Sequence, residues 1–157
     1  MGGLVYFGRM LDKLRLHARG QLPPEYVERL GTGLDGRCCE FLGVKYEVIK
    51  PAVLAGLSDD AALAWCFKHG RHPSEQEIYY FSSWLTKLGW RDKATPMLKQ
   101  QLKGYGLEEH SEIQTIFDVI EADEGRLLAA KETLSYECRK ATQRNRPHAA
   151  ESAEAGG

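Results

Sequence analysis

Glycine interrupts this sequence at residues 20, 43, 70, 89 and either 104 or 106, and between those stops apolar residues recur at three- and four-residue steps. That spacing is the period of an α-helix, and a glycine just past the last apolar turn is the residue best able to end one. No alternating run of β-branched residues bounded by turns competes with it. The pattern predicts an all-α chain, a compact multi-helix single domain with short loops.

Leu4, Phe7, Leu11, Leu14 and Ala18 form the first stripe, which predicts a helix closing at Gly20 with Arg9, Asp12 and Lys13 on its opposite face. Pro23 and Pro24 then break the chain, and Pro24 starts a short helical turn through "EYVERLG". In "LDGRCCEFLG", Asp35 is placed to cap a two-turn helix that Gly43 ends. The next stretch, "VKYEVIKPAVLAG", reads as a helix interrupted by Pro51. Ser58 caps "DDAALAWCFKHG", and Ser74 with Glu77 makes a capping box ahead of Ile78, Phe81, Leu85 and Leu88. Tyr79, Tyr80 and Trp84 on the flanks of that helix are expected as aromatic core, with the lining of a cavity as the alternative. A further helix starts at Asp92 or at Thr95–Pro96, and Ile113, Ile116, Phe117 and Ile120 give the last clear stripe. Residues 1–126 are thus read as the helical domain, 127–146 as a helical extension and 147–157 as a disordered tail of small polar residues.

The 21 Lys and Arg residues nearly balance the 22 Asp and Glu, for a net charge of -1, so no overall basic field draws the chain to nucleic acid or anionic lipid. Apolar runs fall far short of the ~20 residues that span a bilayer. Charges at Arg9, Asp12 and Lys13 spoil "MGGLVYFGRMLDKLR" as a secretion signal, which makes the cytoplasm the expected location. Cys38, Cys39, Cys66 and Cys138 show no metal-binding or redox spacing, and neighbouring helical positions lie about 100° apart, so Cys38 and Cys39 cannot share one target. They are expected to be reduced packing residues. His69 and His72 straddle Gly70 in a way that suits solvated side chains, and Glu121, Asp123 and Glu124 lack the alternation of a calcium loop, so neither a metal nor a cofactor is expected.

Taken in order, "GRMLDKLR", "LDGRCCEFLGV", "LAWCFKHG", "KLGWRD" and "IQTIFDVIEADEGR" resemble the bacterial family known as domain of unknown function 5069. The likeness covers residues 2 to 126, and Arg9, Asp12, Lys13, Asp35, Arg37, Trp90, Arg91 and Asp92 fall on its pattern. Cys38 and Cys39 stand where that pattern has phenylalanines, which agrees with packing. The resemblance implies no activity, so function has to be argued from the charges.

Arg9 and Lys13 share a helix face, and Asp35 and Arg37 open a short helix whose first N–H groups are anion donors. The expectation is a site in which Arg9, Lys13 and Arg37, with Trp90 and Arg91, hold a small carboxylate or phosphate metabolite while Asp12 or Asp35 moves a proton. The alternative is a non-catalytic helical interaction module, in which the same Arg and Asp residues pair structurally and an exposed face meets a protein partner or a second copy.

Overall fold

The computed structural model describes residues 2–125; Cys138, the extension expected over 127–146 and the tail over 147–157 lie outside the described residues. Those described residues form helices and no strand, so the chain is all-α. The span read as a single helical domain holds two compact units, Met1–Leu88 and the beginning of Gly89–Gly157.

The first unit contains α1 (Phe7–Ala18), α2 (Pro24–Val27), α3 (Gly33–Phe41), α4 (Tyr46–Leu54), α5 (Asp59–His69) and α6 (Glu75–Leu85). Phe7, Met10, Leu11 and Leu14 turn one side of α1 inward against α3 and α4, and α4 packs in turn on α5. Each such side chain contributes roughly 1.5–3 kcal/mol by leaving water. Both cysteines of α3 are buried because this helix is enclosed on two sides: Cys38 is 0% and Cys39 3% exposed, and the Cys39 thiol contacts the Met10 sulfur at 3.7 Å. Cys66 of α5 joins the same core. Gly70 ends α5 where no side chain would fit, since a Cβ there would stand 2.2 Å from the Leu42 carbonyl oxygen. That carbonyl accepts the Arg71 N–H at 2.8 Å, which fastens the end of α5 to the end of α3.

Several expectations change. The first helix begins at Phe7 rather than Leu4, Ala18 is exposed, and Lys13 is 7% exposed instead of lying on a solvated face. Asp35 is not an N-cap: α3 starts at Gly33 behind Thr32, and Asp35 sits inside the first turn. Pro51 does not interrupt α4, because a single proline removes one backbone bond and the helix continues around it. Tyr79, Tyr80 and Trp84 are not core; they are 64%, 60% and 46% exposed, while Ile78, Ser82 and Leu85 supply the inward face of α6.

The second unit, through residue 125, contains α7 (Thr95–Tyr105) and α8 (Ile116–Asp123), packed through Leu98, Ile116 and their neighbours. Thr115 and Asp118 form a capping box at the start of α8 that the sequence reading did not include. No helix among the described residues is long and apolar enough to cross a membrane.

Two measurements follow from the fold. Burial pushes the Cys39 and Cys66 thiols up to about 12 and Cys38 higher still, so all three should resist iodoacetamide at neutral pH until the protein is unfolded. Rapid native labelling of any of them, mapped by peptide mass, would contradict the packing. Glu77 is held below the ordinary glutamate range first by the Ser74 backbone N–H, then by the Ser74 hydroxyl, with Arg71 adding to it. The capping box therefore stabilises at pH above the unfolded glutamate value and loses its effect as pH falls through the lower folded one. In an NMR titration, Ser74→Ala should move the Glu77 midpoint upward.

Candidate functional site

Tyr6 precedes α1 with φ 70°, in the left-handed region that a tyrosine rarely adopts. Such a conformation costs about 1–3 kcal/mol and persists only where the surroundings over-determine it. Here Ser82 of α6 supplies the constraint: its Oγ accepts the Val5 N–H at 3.3 Å and donates to the Gly3 carbonyl at 2.9 Å. The Met10 N–H closes the first turn on the Tyr6 carbonyl at 3.0 Å. The phenol lies back along the helix, with its hydroxyl 3.0 Å from Lys13 Nζ and its ring centroid 5.3 Å away.

Lys13 lies two turns into α1 and meets Asp35 from α3, Nζ to Oδ1, at 2.6 Å. Asp35 is 0% exposed, and its other oxygen, Oδ2, accepts the Gly31 N–H at 3.0 Å. The Tyr6 hydroxyl is also hydrogen-bonded to Asp35, which closes the cluster. Gly31 has to be glycine on two counts: its φ is 70°, and a Cβ would come within 2.7 Å of the Tyr46 ring. The hydroxyl of that ring is buried without a hydrogen-bond partner among the described residues.

Burial raises Tyr6 far above the ordinary tyrosine range, and the Asp35 charge and hydrogen bond raise it further. Tyr46 is raised for the same first reason, with Asp35 next. Burial lowers Lys13 first of all; Asp35 acts against that, while Arg9 and Arg29 lower it further by repulsion. The cluster therefore combines a phenol that keeps its proton, an amine whose charge is disfavoured and a carboxylate within proton-transfer distance of that amine.

The expected site residues divide. Lys13 and Asp35 come together, and the Arg9 charge acts on both Lys13 and Tyr6 while its guanidinium stands 5.9 Å from the Tyr26 ring centroid. Arg37 does not join them; two residues past Asp35 it points to another side of α3, over the Trp84 ring at 5.2 Å. The Asp12 side chain is 66% exposed and pairs with Arg15 at 3.2 Å, outside the cluster. Trp90 and Arg91 are exposed in the second unit, in a loop that Asp92 ties by accepting the Gly89 N–H at 3.0 Å and the Ala94 N–H at 2.7 Å. Arg91 is itself left-handed at φ 53°, with its guanidinium over Trp90 at 5.1 Å. Among the described residues no group of three His, Cys, Asp or Glu side chains could hold a metal ion.

Sequence reasoning passed over Tyr6, Gly31, Tyr46 and Arg29. Tyr6 alone left a trace, seven residues before Lys13 and so on the same side of a helix.

A family model covers residues 1–126, a span that includes every member of the cluster. The chain belongs to the family described as Domain of unknown function (DUF5069). No curated protein and no solved structure matches it.

In this DUF5069 chain the ion pair sets a stability test. Lys13→Met or Asp35→Asn alone should destabilise by about 3–5 kcal/mol, because each leaves a buried polar partner uncompensated. The double variant Lys13→Met/Asp35→Leu should recover part of the loss in urea denaturation, the remainder reflecting the Gly31 N–H and Tyr6 hydroxyl left without Asp35. Single variants as stable as the parent would show that the pair is hydrated rather than buried.

Proposed function

We propose that this protein binds a small anionic metabolite, a carboxylate or phosphate, beside the Tyr6–Lys13–Asp35 cluster and moves a proton there as an acid–base enzyme. The observation that carries the reading is the 2.6 Å ion pair between the 0% exposed Asp35 and the 7% exposed Lys13. Desolvating two charges is an inefficient way to hold helices together, since apolar residues of similar volume do it as well or better. A strained tyrosine on the lysine nitrogen and two further cations acting on it add to the case. Arg9 and Arg29 both act on Lys13 by repulsion, and added positive potential at the amine favours an anionic ligand there. The described cysteines are free thiols, which suits a cytoplasmic setting.

A second reading has observations of its own. Arg15 pairs with Asp59 at 2.6 Å and with Asp12 at 3.2 Å, structural contacts of the kind an interaction module would use, and α6 exposes Tyr79, Tyr80 and Trp84. On that reading the buried cluster only fixes the fold.

Thermal melts in phosphate, acetate and malonate, against chloride at equal ionic strength, separate the two. Anion binding should raise the melting temperature of the parent saturably by several degrees and leave Lys13→Met/Asp35→Leu unaffected. No shift with any of the three, or equal shifts in parent and double variant, would overturn the assignment and leave the interaction module standing.

A further inference from the structure

We propose that Lys13 is the nucleophile of this site and forms a protonated imine with the carbonyl carbon of a small 2-oxo acid, Tyr6 supplying the proton on which water departs. The inference rests on the anion-binding reading above and names its substrate class. Of the three N–H positions on Nζ, one is directed to Asp35 at 2.6 Å and one to the Tyr6 hydroxyl at 3.0 Å, which leaves a third side of the nitrogen for an incoming carbon. The two partners already present are those that imine formation requires: a base on the nitrogen and a neutral acid beside it. A lysine serves here as an arginine could not, because only an amine can give up its proton and attack. Its desolvation, with Arg9 and Arg29 repelling its charge, favours the neutral form that attacks. The positive potential that these arginines place on Lys13 also favours a carbonyl compound that carries a carboxylate over a neutral one. Tyr46, whose buried hydroxyl has no partner among the described residues and feels the Asp35 charge, adds an unused donor in this region.

The steps balance without any redox change. Asp35 takes a proton from the Lys13 ammonium, leaving a neutral amine and a neutral carboxyl. The nitrogen lone pair forms the C–N bond as the carbonyl π pair moves to oxygen, which takes the Tyr6 proton while Tyr6 takes the one held on Asp35, so the phenol stays neutral. Asp35, again a carboxylate, takes a proton from the nitrogen, giving the neutral carbinolamine. Its hydroxyl then leaves as water on a proton passed from Asp35 through Tyr6, while the nitrogen lone pair completes the C=N bond. The product is a positively charged imine facing the Asp35 carboxylate, the same charges that the free pair began with.

The test uses the full chain, pyruvate as the oxo acid and sodium cyanoborohydride to reduce any imine to a stable amine, followed by peptide mapping. The adduct should appear on Lys13 well ahead of the exposed Lys45 and Lys68. Propanal, which lacks the carboxylate, should show a smaller preference for Lys13 over the exposed lysines than pyruvate does. Tyr6→Phe should slow the pyruvate adduct several-fold, and an unchanged rate would remove Tyr6 from the step. Labelling confined to exposed lysines while pyruvate still raises the melting temperature would overturn the imine and leave anion binding intact. Labelling confined to exposed lysines with no effect of pyruvate on the melt would overturn both.

Discussion

A lysine ammonium and an aspartate carboxylate taken out of water have to satisfy each other, and in this chain that requirement sets how α3 lies against α1. Asp35, Cys38, Cys39 and Leu42 form one buried face of the α3 segment, and the aspartate is the charged group on that face. The Lys13–Asp35 contact sets how that face meets α1, because the carboxylate has to lie 2.6 Å from the amine. The same carboxylate then holds the Gly31 N–H and with it the turn leading into the helix. Specificity of this kind is the best-attested use of a buried polar pair, and it is compatible with chemistry at the same atoms.

Two ion-pair systems on α1 show how much the surroundings decide. Arg15 reaches Asp59 and Asp12 with its side chain 26% exposed, and it also donates to the Leu57 carbonyl at 3.0 Å, so water and a forked guanidinium share the charge. Pairs of that kind contribute on the order of 0–1 kcal/mol. Lys13, two residues earlier and so toward the other side of the helix, has a compact ammonium, little exposure and a single carboxylate. Neither its protonation nor its position can change without consequence for Asp35.

Much of the fold was legible in the sequence because it rests on short-range rules. Ser58, the Ser74–Glu77 box and the glycine stop at Gly70 act within one turn of helix, and reading them needs no knowledge of what packs nearby. The site was less legible, since its decisive contacts are long in sequence. Lys13 reads as polar surface until Asp35, 22 residues away, is placed on it. Asp35 reads as a cap because aspartate favours helix starts; that its oxygens turn inward depends on Gly31 and on α1. The aromatic residues of α6 were misplaced for the opposite reason: Ser82 takes an inward position that a large side chain was expected to fill.

Ser82 also bears on the order in which this protein can assemble. The backbone of Gly3 and Val5 is tied to a hydroxyl that follows it by 79 and 77 residues, so the segment that holds Tyr6 is synthesised long before its anchor. Until α6 has formed, nothing in that pairing compels the tyrosine into its left-handed turn, and the entropy of so long a loop favours other conformations. The first part of the cluster to be translated is thus among the last to be fixed, and a nascent chain cut short of α6 would carry the lysine and the aspartate without the constraint that sets the phenol upon them.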